Sequence, residues 1–186
     1  MVDASSARER KAVFLDRDGV IVVPEFRDGR SFAPVRLEDY RLYPEAPAAL
    51  SRLKNAGYLL VVVTNQPDVG RGLIPEQVLE EMHRRLLTSL PIDFVKVCRH
   101  TAEDRCSCRK PKPGMLLEAA SEFGISLPDS YMVGDRATDI EAGHAAGCRS
   151  VFIDLGYTGE PKPDSPSFTV PSISHAADVI LTATPT

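Results

Sequence analysis

A parallel α/β fold is the class this sequence predicts, and three observations carry the prediction. Short apolar runs alternate with longer amphipathic stretches along most of the chain. The runs are rich in Val, Leu and Ile with little polar alternation, as expected of strands covered on both faces. Glycine and proline fall at the ends and starts of the amphipathic stretches, where helices stop and begin.

In order, the first strand is Ala12–Leu15. Residues 24–44 break the alternation with Pro24, Gly29, Pro34 and Pro44, and read as a loop with room for a short hairpin. A helix follows over Ala46–Asn55 and stops at Gly57, which is free to take positive φ. The second strand is Tyr58–Val63. Pro75 suits the first turn of a helix over Pro75–Ser89, since its missing N–H costs little there. Strand Phe94–Val97 leads into a polar loop, residues 98–113, that carries three cysteines. Pro113 and Gly124 bracket a helix over Gly114–Phe123. Strand Tyr131–Val133, helix Ala137–Ala146 and strand Ser150–Ile153 continue the pattern. The stretch from Gly156 to Pro171 holds four prolines and reads as an extended connector, with Phe168–Val170 as a weaker strand. A last helix covers Ile173–Leu181.

The 186 residues fit one domain, 1–186, with residues 1–10 expected to be flexible. Hydrophobic residues are 43% and charged residues 26%, an ordinary globular balance. Lys plus Arg is 22 and Asp plus Glu is 26, a net charge of −4, which argues against a nucleic-acid binder. Small anionic substrates need only a few local cations and stay open. Residues 1–11 have no apolar signal-peptide core, and the longest apolar run, Tyr58–Val63, is too short to span a bilayer. The expectation is a cytoplasmic protein without a membrane partner.

Four places carry chemistry. Asp16 and Asp18 follow the first strand directly, where α/β folds place their ligands, and paired carboxylates suit a hard cation such as Mg²⁺. Gly19 permits the turn that follows. Thr64, Asn65 and Gln66 end the second strand in small polar groups able to hold phosphate oxygens, although the same residues are common turn formers. Arg109 and Lys110 lead into a helix N-terminus, which favours an anion. Asp135, Arg136 and Asp139 follow another strand: Asp135 can complete a metal site, and Asp139 either orients the basic residues or serves as a first-turn acid.

Together these four places resemble the signature of the haloacid dehalogenase superfamily over roughly residues 11–155. The resemblance implies a Rossmann-like, doubly wound parallel sheet and a Mg²⁺-dependent phosphatase working through an aspartyl phosphate. Asp16 is then the nucleophile. Asp18 is the acid and base. Asp16, the backbone carbonyl of Asp18, and Asp135 hold Mg²⁺. Thr64, Asn65, Gln66, Arg109, Lys110 and Arg136 become the expected phosphate and substrate contacts. On sequence alone, replacing Lys110 removes one charge and leaves the fold untouched.

Cys98, His100, Cys106 and Cys108 supply three thiolates and one imidazole, a closed tetrahedral set for structural Zn²⁺. Such a loop would deliver Arg109 and Lys110 to the phosphate. Cys148 reads as a small core residue. His83, His144 and His175 have no companion groups and read as surface or capping residues. Joined to Cys108-Arg-Lys-Pro111, the zinc loop resembles two subgroups, the heptose-bisphosphate and the histidinol-phosphate phosphatases. Thr64-Asn-Gln66, Gly70-Arg-Gly72 and Pro111–Met115 lean toward the heptose side. Three features depart from it: a short zinc loop, Pro67-Asp68 in place of Ser-Gly, and Arg99 in place of Pro.

The intervals from Asp16 to Thr64 and from Thr64 to Lys110 leave no room for a cap domain, so the site is expected to be open, walled by residues 24–36 and the zinc loop. The first expectation is removal of the 7-phosphate from heptose 1,7-bisphosphate, a small sugar bisphosphate. Histidinol phosphate, a nucleic-acid 3′-phosphate end, and a non-catalytic zinc-loop module are the alternatives.

Overall fold

The computed structural model describes residues 9–183. The chain opens with strand β1 (Ala12–Leu15) and a hairpin of β2 (Glu25–Arg27) and β3 (Arg30–Phe32). Helix α1 (Ala46–Asn55), strand β4 (Leu59–Asn65) and the single turn α2 (Pro67–Gly70) come next. Then come α3 (Glu76–Ser89), β5 (Phe94–Cys98), α4 (Gly114–Phe123) and β6 (Tyr131–Gly134). Helix α5 (Ala137–Ala146), strands β7 (Arg149–Ile153) and β8 (Phe168–Val170), and α6 (Ile173–Thr182) finish it.

Six strands form one sheet in the order β5-β4-β1-β6-β7-β8, and every pair is parallel. Alternate strand residues feed two separate cores, which is why the runs are apolar throughout. Val13, Leu15, Leu60, Val62 and Val133 pack with Leu50 and Leu53 of α1, Leu86 of α3 and Ile180 of α6. Phe14, Val61, Val63 and Met132 pack on the other face with Met115 and Leu116 of α4 and Ala142 of α5. Strands buried on both faces and helices on both sides make the doubly wound sheet expected from the sequence. The segment between β1 and α1 holds the short hairpin and that between β4 and β5 holds α2 and α3, so among the described residues neither interval carries a cap domain.

Several local readings change. The helix read from Pro75 begins at Glu76; Pro75 stays extended at φ −60°, ψ 139° and caps it. Strand β4 runs on to Asn65, and the turn α2 follows it. Arg10, within the stretch expected to be flexible, bridges to Ile125, and its guanidinium donates to the Phe123 carbonyl at 2.9 Å. Residues 1–8 lie outside the described residues. Among the described residues, no helix is long and apolar enough to cross a membrane.

The central strand is fixed at both ends. At its start, the Ala12 N–H donates to Ser130 Oγ at 2.9 Å, and that hydroxyl donates to the Ser126 carbonyl at 2.6 Å. Ser130 is fully buried. Ser130→Ala leaves the Ala12 N–H without a partner, at a cost of about 1–3 kcal/mol. Urea unfolding should report that loss, while the activity expected from the sequence stays near wild type at low temperature, because Asp16 lies at the opposite end of the strand.

Candidate active site

Three neighbouring strands end in polar residues on the same edge of the sheet. β1 runs into Asp16, β4 into Thr64 and Asn65, and β6 into Asp135. Lys110, from the loop before α4, reaches between them and is 4% exposed. Its Nζ donates to Asp16 Oδ1 at 2.6 Å and to the Val63 carbonyl at 2.8 Å, and lies 2.6 Å from Asp139 Oδ1. Burial opposes its charge, yet Asp139 and Asp16 more than offset that, and its pKa lies above the ordinary lysine value. Replacing Lys110 therefore does more than remove a charge. It strands two buried carboxylates, which costs about 3–5 kcal/mol for a broken buried pair.

The polar residues after β4 serve this arrangement. Asn65 Oδ1 accepts from the Lys110 N–H at 3.2 Å, and its Nδ2 donates to the Lys110 carbonyl at 3.1 Å. Gln66 Nε2 donates to Asp18 Oδ2 at 2.8 Å and to Thr64 Oγ1 at 2.9 Å. Both amides were expected as substrate contacts; in the structure they hold Lys110, Thr64 and Asp18 in place. Asp139 does two things at once, pairing with Lys110 and accepting from the Arg136 N–H at 3.1 Å at the start of α5.

Asp16, Asp135 and Asp139 bring one carboxylate oxygen each to within 4.8 Å of the others. Asp139 commits Oδ1 to Lys110 and Oδ2 to the Arg136 N–H, whereas Asp16 gives Lys110 only Oδ1, so Asp16 and Asp135 are the pair with an oxygen to offer a cation. Asp135 is 1% exposed, and burial, followed by the charge of Asp16, raises its pKa well above the usual carboxylate range. Its Oδ2 accepts from the Tyr157 hydroxyl, and among the described residues its buried Oδ1 has no partner. A buried, unpaired carboxylate oxygen beside a second carboxylate fits a hard divalent cation. Gly19 is needed here: φ is +90°, and a Cβ would stand 2.1 Å from Asp135 Oδ2. The Asp18 side chain turns away from this cluster toward Arg17 and Gln66.

Cys98, the last residue of β5, meets His100, Cys106 and Cys108. Cys98 Sγ lies 3.8 Å from Cys106 Sγ and 3.3 Å from Cys108 Sγ, and His100 Nδ1 lies 3.2 Å from Cys108 Sγ. Two sulfurs each about 2.3 Å from a tetrahedral zinc lie roughly 3.8 Å apart, so the donors fit the ion. Burial first, and then Cys98 and Cys106, push the Cys108 thiol up to about 12, a penalty that a bound divalent cation reverses. None of the four cysteines is in a disulfide, and Cys148 is a buried core residue, as expected.

A cavity of about 570 Å³ opens above Asp16, Asp18 and Lys110. One side carries Asn65, Asp68, Arg71 and Arg109, and the other Arg30, Phe32, Arg136 and Glu160. That second side is stitched from distant segments. Arg136 Nη2 donates to Ser31 Oγ at 2.7 Å and pairs with Glu160 at 3.3 Å, and the Gly159 N–H donates to the Gly29 carbonyl at 3.0 Å. The connector after β7 and the hairpin β2–β3 thus form one wall. The spacing of residues in sequence gives no sign of this union, nor of Tyr157 reaching Asp135.

The chain matches the HAD-hydrolase-like family model over residues 107–176. It is 35% identical over 164 residues to the D-glycero-beta-D-manno-heptose-1,7-bisphosphate 7-phosphatase of Pseudomonas aeruginosa, covering 83% of this chain and 89% of that protein. The histidine biosynthesis bifunctional protein HisB of Blochmanniella floridana is 32% identical over 146 residues, covering 76% of this chain and 40% of HisB. Among solved structures, the D,D-heptose 1,7-bisphosphate phosphatase from B. bronchiseptica, complexed with magnesium and phosphate, superposes with a TM-score of 0.76 at 28% identity. It covers 92% of this chain and 98% of that one.

Arg17 was not singled out from the sequence, yet it is fully buried. Its Nε and Nη2 donate to the two oxygens of Asp18 at 3.0 and 2.9 Å, and its Nη1 lies 3.3 Å from His83 Nε2. His83 is therefore no surface residue: burial, then Arg17 and Arg99, lower its pKa to about 4. Ser172 is the cap of α6 and accepts from the His175 N–H, with His175 Nδ1 2.9 Å from its hydroxyl. His144, exposed on the last turn of α5, has Nε2 2.8 Å from Ser150 Oγ. Unfolded His83 takes a proton near pH 6.5, whereas folded His83 resists it until about pH 4. The unfolded state binds more protons in that window, so stability is lost as pH falls through it. Between pH 7 and pH 5, wild type should lose about 1–2 kcal/mol more than His83→Gln. Urea titrations at both pH values check this, and equal losses would remove His83 from the account.

Proposed function

The chain belongs to the haloacid-dehalogenase-like phosphatases, and within them we propose that it hydrolyses a small sugar bisphosphate, heptose 1,7-bisphosphate, at position 7. One observation carries the choice of a bisphosphate. Among the described residues, Arg30 and Arg109 line the cavity with no carboxylate partner, donating only to the carbonyls of Gly159 and His100. The reacting phosphate is served by Lys110, so two further unpaired cations suit a second phosphate on the same substrate. Histidinol phosphate brings an ammonium and an imidazole to the same arginines, which disfavours it. The Pseudomonas and B. bronchiseptica relatives, both heptose 1,7-bisphosphate phosphatases, support the same reading.

In this reading Asp16 attacks phosphorus, and the bond to the substrate oxygen breaks as Asp18 gives that oxygen a proton. Asp18, as carboxylate, then takes a proton from the water that attacks the acyl phosphate, releasing inorganic phosphate and restoring Asp16. Lys110 and the Thr64 hydroxyl offset charge on the transferring group. Asp16, Asp135 and the Asp18 carbonyl would hold Mg²⁺, which supplies positive charge to the phosphoryl oxygens. Cys98, His100, Cys106 and Cys108 would hold a structural Zn²⁺ that fixes the loop leading to Arg109 and Lys110.

Steady-state kinetics on heptose 1,7-bisphosphate and histidinol phosphate test the substrate; a tenfold preference for histidinol phosphate would overturn it. Asp16→Asn should retain less than about a hundredth of wild-type turnover with the fold intact, as expected for a lost nucleophile. Cys106→Ser should lose bound zinc, melting temperature and activity together. Misplacing Lys110 by about 1 Å alone can cost on the order of a hundredfold. Zinc retained at one per chain in that variant would sink the ligand assignment.

A further inference from the structure

Tyr157 lies in the connector after β7, and its hydroxyl donates to Asp135 Oδ2 across the site. The other face of that carboxylate is closed by Gly19, whose Cα leaves no space for even a Cβ. Pinned between the glycine and the phenol, the carboxylate leaves its buried, unpartnered Oδ1 as the atom free to accept a cation. The ring of Tyr157 leans on Phe26 of the hairpin, with centroids 5.5 Å apart and planes tilted by 51°. Phe26 is itself 54% exposed, so the support for the phenol sits at the surface of the cavity wall.

We propose that Tyr157 is a positioning residue that orients Asp135 for the divalent cation and ties that orientation to the hairpin wall. The inference rests on the cation site named under the proposed function. Metal ligands are routinely held by an outer hydrogen-bond partner, and loss of such a partner costs 10–100-fold in metal affinity. A phenol held by the connector does this for Asp135. Because the same connector clasps the hairpin through Gly159 and Gly29, a shift of the wall moves the phenol with it.

The test is calorimetric titration of MgCl₂ into the zinc-replete full chain, compared across wild type, Tyr157→Phe and Asp135→Asn. Tyr157→Phe keeps the ring on Phe26 and removes only the hydroxyl. Its Mg²⁺ dissociation constant should rise by about 10–100-fold, with zinc content and melting temperature unchanged. Its kcat at saturating Mg²⁺ should fall far less than its affinity for Mg²⁺. A role confined to packing would lower the melting temperature and leave the dissociation constant alone. Wild-type Mg²⁺ affinity in Tyr157→Phe, with binding lost in Asp135→Asn, overturns the proposal and spares the cation site. Wild-type affinity in Asp135→Asn overturns both. Should Tyr157→Phe fail to fold, Phe26→Ala must weaken Mg²⁺ binding in the same direction, and unchanged affinity there is equally fatal.

Discussion

The ammonium of Lys110 is the constraint on which the rest of the site depends. A buried cation is tolerable only when its protons find acceptors, and here three acceptors surround it: Asp16, Asp139 and the Val63 carbonyl. Those acceptors come from the end of β1, the start of α5 and the end of β4, so one side chain gathers three elements. The neighbouring features keep it there. Asn65 grips the Lys110 backbone from both sides, and the thiol cluster ends two residues before it. Gly134 allows Asp139 to come close, since a Cβ there would stand 2.1 Å from the Asp139 Cβ.

Around this centre negative charge is concentrated and only partly neutralised. Lys110 answers Asp16 and Asp139, Arg17 answers Asp18, and among the described residues Asp135 accepts a side-chain hydrogen bond from a phenol alone. An unpaired buried carboxylate is a standing cost to the fold, and it persists where a ligand offsets it. The arrangement divides the labour by charge type. Ammonium and guanidinium groups suit an anionic substrate, while the leftover carboxylate oxygens suit a small hard cation. Thiolates, being softer, are kept to a loop of their own.

What the sequence revealed and what it concealed follow from chain distance. The strands were legible because burial on both faces makes their residues uniformly apolar, as in Val61, Val62 and Val63. Asp16, Lys110 and Asp135 were legible as residues beside strand ends or helix starts. The thiol cluster announced itself through close spacing. The bonds of Asn65 and Gln66 to Lys110, Thr64 and Asp18 were not legible, since a polar residue after a strand looks the same whether it faces a ligand or a backbone. Arg17 and His83 meet across 66 positions, and Arg136 and Ser31 across 105. Pairings of that kind are properties of the packed sheet. Tyr157, set in a loop that reads only as extended, carries no local signal of what it touches.

The strand order has a consequence for synthesis. β1 leaves the ribosome first among the sheet strands, yet one of its edges pairs with β4 and the other with β6, at residues 131–133. After β4 ends at Asn65, that second edge waits until β6 has been made. At about 5–20 residues per second the wait is on the order of 3–15 seconds. Through that interval a fully apolar tetrapeptide, Ala12 to Leu15, presents open N–H and C=O groups to any other extended chain nearby. Slow translation between Asn65 and Tyr131 would lengthen that exposure.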